Sequence, residues 1–118
     1  MPYDKPSTDM LTCMNDCVEC ASICARCAHH CLTMGGEHAS PAHQGLMNDC
    51  ADICTLAASV MARASAYSSD VCTVCAEVCS DCAEDCEQLA QGDQMMSECA
   101  STCRACAESC QRMVSTQV

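Results

Sequence analysis

Cysteine is the residue type through which this chain could do chemistry. It occurs 17 times in 118 residues, in four clusters whose internal gaps are all three or four residues. This spacing follows the a and d positions of a helical heptad, whereas a β-strand would need gaps of two. A helix over each cluster would therefore carry its thiols along one face. The cysteines are Cys13, Cys17, Cys20, Cys24, Cys27, Cys31, Cys50, Cys54, Cys72, Cys75, Cys79, Cys82, Cys86, Cys99, Cys103, Cys106 and Cys110.

Charge favours one metal among those that thiolates bind. Soft thiolates select Cu(I), zinc or iron–sulfur clusters. Four zinc sites with four cysteines each would leave sixteen buried thiolate charges half neutralised, which is costly. Thiolates that each bridge two Cu(I) ions match metal and thiolate charge about one to one. Several Cu(I) ions, about one per cysteine, are therefore the expected cofactor. All four arginines fall at outward heptad positions and cannot neutralise core thiolates: Arg26, Arg63, Arg104 and Arg112.

Other functions for the cysteines stay open. One alternative is a thiol redox regulator that forms disulfides between helices, and another is a zinc buffering protein. Iron–sulfur ligation is disfavoured because the clusters lack the turns and the Cys-Pro ending of ferredoxin motifs. The sequence pairs no nucleophile with a general base, so no catalytic residue is predicted.

Turn and capping residues divide the chain into four helices, at about 8–34, 41–65, 69–91 and 94–115. Gly35 and Gly36 end the first helix, Ser40 before Pro41 begins the second, and Gly92 separates the third from the fourth. Short connections make consecutive helices antiparallel. The predicted fold is all-α, a single domain over residues 1–118 that forms an up-down-up-down four-helix bundle with a cysteine-lined core.

An internal repeat agrees with this arrangement. The segment 17–31 reads CVECASICARCAHHC, and the segment 72–86 reads CTVCAEVCSDCAEDC. Five cysteines and two alanines coincide. This match suggests that the second pair of helices duplicates the first.

The two ends of the predicted bundle differ in composition. One end gathers thioether and imidazole groups that suit transient Cu(I) coordination, and we expect the metal to enter there. The possible entrance ligands are His43, Met47, Met34 and Met96. The opposite end carries no histidine and is expected to be an apolar plug, formed by Met10, Met61, Ala64 and Met113.

Composition excludes several function classes. The net charge is −11, so the basic surface that nucleic-acid binding requires is absent. No apolar run is long enough to span a membrane, and residues 1–6 do not resemble a secretion signal. We therefore expect a cytoplasmic protein whose thiols are kept reduced.

The cysteine motifs resemble those of the bacterial copper storage proteins, in particular their cytosolic branch. The resemblance rests on the two repeated segments, on CADIC at 50–54 and on CASTCRACAESC at 99–110. It implies a four-helix bundle whose 17 cysteines line a store of Cu(I) used for buffering, detoxification or supply. It also implies a homotetramer and entrance ligands near His43 and Met47.

Overall fold

A computed structural model describes residues 6–116, which form four long α-helices. The helices are α1 (Thr8–Met34), α2 (Pro41–Ala62), α3 (Ser68–Ala90) and α4 (Gln94–Thr116), and a short 3-10 helix at Gly36–Ala39 precedes α2. The all-α class and the four-helix bundle predicted from the sequence are confirmed. The 3-10 helix has no counterpart in the prediction.

The helices run antiparallel around a square. Each packs against two neighbours, so that α1 contacts α2 and α4, and α3 contacts α4 and α2. The sulfur contacts between α1 and α4 show their antiparallel direction. Cys13 near the start of α1 contacts Cys110 near the end of α4, and Cys24 further along α1 contacts Cys99 near the start of α4. The bundle is an elongated rod of 54 × 19 × 19 Å.

Side-chain caps and glycines fix where the helices begin and end. The hydroxyl of Ser7 accepts from the Met10 backbone N–H at 3.2 Å, and that of Ser40 accepts from the His43 N–H at 3.2 Å. Such caps satisfy N–H groups that have no partner within the helix. Gly35 ends α1 with φ of 73°, a left-handed value that glycine adopts without strain.

The predicted end of α2 at residue 65 is wrong. The helix ends at Ala62, and Ala64 lies beyond it with φ of 50° and an exposed side chain. The turn is closed by the Ser65 N–H, which donates to the Val60 carbonyl at 2.9 Å. Ala64 therefore takes no part in the core, although the heptad pattern assigned it there.

Small side chains let the helices approach closely. Several alanines next to core cysteines are themselves buried, so no bulky group separates the helix surfaces at these points. Five of them are Ala28, Ala76, Ala83, Ala100 and Ala107.

Within the described residues, none of the helices is both long enough and apolar enough to cross a lipid bilayer.

We predict that the start of α4 depends on the charge of Asp93. This carboxylate accepts from His30 Nε2 at 2.8 Å and from the Met96 N–H at 3.0 Å. These two hydrogen bonds lower the pKa of the Asp93 carboxyl below its ordinary value of 3.8, and the bond with His30 has the larger effect. A lowered pKa stabilises the fold above that value, and the benefit is lost as the pH falls through the folded-state pKa.

Asp93→Asn keeps a good capping residue and removes the charge. In urea unfolding, we expect this variant to be less stable than the wild type at pH 7. The difference in unfolding free energy between the two proteins should shrink below pH 3.8, because Asp93 of the wild type then becomes protonated. A difference that stays constant down to strongly acidic pH would contradict the assignment.

Candidate metal centre

All 17 cysteines point into the axis of the bundle. Each is free and buried, with no exposed side-chain area. The heptad spacing explains this result, because residues at a and d face the neighbouring helices. The bundle thus encloses a column of thiols where most bundles carry leucine and isoleucine.

The thiols on facing helices lie within contact distance of one another. Cys13 and Cys110 are separated by 3.5 Å, Cys24 and Cys103 by 3.5 Å. On the other side of the square, Cys54 Sγ lies 3.5 Å from Cys79 Sγ. Further sulfur–sulfur contacts of 3.6 to 4.0 Å link cysteines along the column.

Twelve cysteines form five overlapping groups that could each hold a metal ion, and we call this set the sulfur ladder. Within each group the sulfur atoms lie within 4.8 Å of one another. In order along the bundle, the groups are Cys13, Cys72 and Cys110; Cys17, Cys75, Cys106 and Cys110; Cys54, Cys75, Cys79 and Cys106; Cys20, Cys50, Cys54 and Cys79; and Cys20, Cys24, Cys50 and Cys103.

Consecutive groups of the sulfur ladder share sulfur atoms. Cys110 belongs to the first two groups, and each later pair of neighbouring groups shares two cysteines. Metal–thiolate bonds of about 2.3 Å around one ion place its sulfur ligands about 4 Å apart. The spacing thus suits metal coordination, and the sharing suits thiolates that bridge two ions.

The remaining five cysteines lie beyond the sulfur ladder, towards one end of the bundle. They are Cys27, Cys31, Cys82, Cys86 and Cys99. The two sets of cysteines are in contact, because Cys24 Sγ of the sulfur ladder lies 3.8 Å from Cys99 Sγ of the remaining five. None of the five belongs to a tight group among the described residues.

A buried histidine closes this end of the column. The Nε2 atom of His43 lies 3.4 Å from Cys31 Sγ, while its Nδ1 atom contacts a carboxylate oxygen of Asp85. His43 is only 2% exposed. With Nδ1 donating to Asp85, the lone pair of Nε2 faces the thiol and can accept its proton or bind a soft metal.

Asp85 is the residue of this site that sequence reasoning missed. The heptad pattern assigns it to an outward position, next to Cys86, and its run of acidic neighbours is typical of a solvated helix face. Its contact with His43 joins α3 to α2 across the bundle. Nothing in the local sequence pairs two residues that are 42 positions apart.

The four proposed entrance ligands are not equivalent. Met47 and Met96 are fully buried, and Met47 lies about one helical turn after His43 on α2. Met34 is 43% exposed, in the last turn of α1. The end that we call the histidine end, with His30, His38, His43, Asp85 and Asp93, thus has buried and surface ligands at different depths.

His38 contributes an unpaired polar atom to the histidine end. Its buried Nδ1 atom has no hydrogen-bond partner, and its ring lies edge-on to the ring of His43 with the centroids 6.5 Å apart. A buried polar atom without a hydrogen-bond partner reduces the stability of the fold.

The Cys31 thiol at the histidine end is neutral before metal arrives. Burial raises the pKa of the Cys31 thiol above its ordinary value, because the charged thiolate is poorly solvated. The arginine side chains are exposed, outside the column. Arg104, for example, pairs with Glu87 on the surface at 2.5 Å. A metal that binds Cys31 must therefore displace its proton.

Fold and site together define a class of protein, the four-helix bundle with a cysteine-lined core for soft metal ions. Residues 7–115 match the model of the copper storage protein family. The chain belongs to that family.

Solved structures agree with this assignment. A protein from Nitrosospira multiformis, solved by crystallography, shares 43% sequence identity with this chain. The two structures superpose with a TM-score of 0.85, over 92% of this chain and 96% of that one. Copper storage protein 3 from Bacillus subtilis, solved without metal, is 33% identical with a TM-score of 0.76, covering 87% and 96%. A cytosolic copper storage protein from Streptomyces lividans, solved with five coppers, is 31% identical with a TM-score of 0.79, covering 91% and 92%. A comparison with curated proteins finds no match.

The burial of the thiols predicts that they are protected from alkylation in the folded, copper-free protein. Brief exposure of the reduced protein to iodoacetamide should leave its mass almost unchanged. In denaturant the same exposure should add 17 carbamidomethyl groups, one per cysteine. Mass spectrometry gives both numbers, and rapid labelling of the folded protein would contradict the buried column.

Proposed function

We propose that this protein stores or sequesters many Cu(I) ions in the cytosol, for buffering, detoxification or supply. The observation that carries the proposal is the sharing of sulfur atoms between neighbouring groups of the sulfur ladder. Shared thiolates bridge ions, and bridging brings the numbers of ions and thiolates close to equality. Storage in the cytosol is supported by the Streptomyces lividans relative, which is described as cytosolic.

The sharing also favours Cu(I) over zinc. Structural zinc sites take four ligands of their own. The overlapping groups of the sulfur ladder provide at most two separate sets of four cysteines, for example Cys17, Cys75, Cys106 and Cys110 beside Cys20, Cys50, Cys54 and Cys79. A zinc buffer would leave most of the column unused.

In this proposal all 17 cysteines are Cu(I) ligands, and the histidine end is the entrance. Support comes from the position of His43, whose Nε2 atom lies beside the first thiol of the column. Met47 and Met96 supply buried thioethers at the same end, and Met34 supplies a surface one. A soft ion could thus move from exposed to buried ligands before it reaches the thiolates.

We also propose that the protein is not an enzyme, although Cys31, His43 and Asp85 lie in the order of a catalytic triad. Cys31 has no exposed side-chain area, and His43 is 2% exposed. A nucleophile must reach its substrate to act. The buried contact is better suited to orienting an imidazole ligand.

Redox regulation is a second candidate, and one observation favours it. Three thiol pairs between helices are separated by only 3.5 Å. Oxidation of such a pair would form a disulfide and close its sites to copper.

Anaerobic titration of the reduced protein with Cu(I), in competition with a chromophoric cuprous chelator, tests the storage proposal. We expect the chelator to stay empty until about one copper per cysteine has been added. A parallel zinc titration is the control and should saturate at a much lower ratio.

Three results would overturn the proposal. Filling of the chelator from the first equivalents would exclude tight storage of copper. Saturation near one metal per four cysteines would favour the zinc buffer. A loss of about two mass units per disulfide under mild oxidant, with no copper bound in the titration, would favour the redox candidate.

We further propose that the protein is a homo-oligomer, a tetramer by family resemblance. Support comes from α1, where Leu11, Val18 and Leu32 are 47%, 58% and 56% exposed. Their spacing in multiples of seven aligns them on one face of the helix. An apolar stripe of this kind is typical of a helix that packs against a partner.

Val18→Glu should disrupt this assembly. Analytical ultracentrifugation should show an oligomer for the wild type and a species near 12.5 kDa for the variant. Val74→Glu on α3 is the matched control, because Val74 is similarly exposed at 49%, and it should leave the oligomer intact. Equal masses for the two variants would contradict an interface centred on α1.

A further inference from the structure

We infer that the thioether of Met61 is the terminal metal ligand of the sulfur ladder, at the end of the bundle opposite His43. This inference rests on the proposed storage of Cu(I). It replaces the expectation that this end is only an apolar plug.

The first group of the sulfur ladder, which lies nearest this end, has fewer ligands than the others. Cys13, Cys72 and Cys110 form a group of three, whereas the four other groups have four cysteines each. A fourth sulfur atom nevertheless lies beside one of the three cysteines. The Sδ atom of Met61 lies 3.6 Å from Cys72 Sγ, within the range of the contacts inside the ladder.

The contact between Cys72 and Met61 has the polarity that a ligand requires. The Cys72 thiol donates its hydrogen to the Met61 sulfur, so a lone pair of the thioether is directed towards the group. Once the thiol has lost its proton to metal binding, this lone pair is available to an ion held by Cys13, Cys72 and Cys110.

Burial places the thioether beyond the reach of solvent. Met61 is fully buried, as are Met113 and the three cysteines, and Met10 is 7% exposed. We call the end formed by these three methionines the methionine end. Gap filling is the usual role of a core methionine, but gap filling alone does not require the sulfur atom to face a thiol.

The chemistry of the thioether also selects the metal. Methionine is a soft, uncharged ligand that favours Cu(I), whereas protein zinc sites use cysteine, histidine and carboxylates. Met61 adds a ligand without adding negative charge to the buried group. It thus completes the coordination of the final copper and disfavours zinc at this position.

The first test uses the full-length reduced protein labelled with 13C in the methionine methyl groups. Cu(I) is added anaerobically, and loading is followed by the ultraviolet absorption of copper–thiolate bonds. Comparison with Met61→Leu assigns the Met61 methyl resonance. We expect this resonance to shift to a new position as the store fills, while the Met10 resonance at the same end shifts much less.

The outcomes separate the inference from the storage proposal. If copper–thiolate absorption develops and the Met61 resonance moves no more than that of Met10, the inference is wrong and storage stands. If no such absorption develops, both are wrong. A shift of the Met61 resonance that zinc reproduces in full would overturn the proposed selectivity.

The second test measures retention of copper in Met61→Leu, which nearly conserves side-chain volume. We expect the loaded variant to lose one more equivalent than the wild type to a cuprous chelator. Met10→Leu is the matched control and should retain the wild-type number. Equal retention by all three proteins would overturn the inference. If Met61→Leu does not fold, nuclear Overhauser contacts with the β protons of Cys72, whose Sγ lies 3.6 Å from Met61 Sδ, assign the Met61 resonance in the wild type, and the NMR test still applies.

Discussion

The structure depends on the distance between sulfur atoms on facing helices. Contacts of 3.5 to 4.0 Å across the axis require helices that approach closely, and buried alanines such as Ala83 and Ala107 leave room for that approach. A longer side chain at these points would separate the helices and break the sharing of thiols between groups. The same small residues therefore serve the packing of the bundle and the spacing of the ligands.

A column of thiols is also compatible with folding before metal arrives. Protonated thiols are neutral and behave as small apolar groups, and burial keeps the proton on Cys31 by raising its pKa. The negative charge at Cys31 is then created only when a bound metal displaces its proton. In this respect the bundle differs from zinc fingers, which need their metal to fold.

The two ends of the column differ chemically. At the histidine end, His43 connects the thiols to Asp85 and hence towards the surface. At the methionine end, the buried Met61 contacts Cys72. The histidine end provides potential ligands at several depths, whereas none of the described residues at the methionine end is a histidine. Under the proposed function, this asymmetry assigns metal entry to the histidine end.

The sequence by itself determined the helices, the antiparallel bundle and the column of cysteines, because the heptad spacing leaves one face on which the thiols can lie. It did not determine the end of α2, where the heptad pattern continues to Ala64 and the backbone turns after Ala62. Only the tertiary structure decided which thiols share a group and that Asp85 meets His43. These contacts join residues far apart in the chain, and their distances depend on how the four helices are packed, for which a periodic sequence carries no local signal.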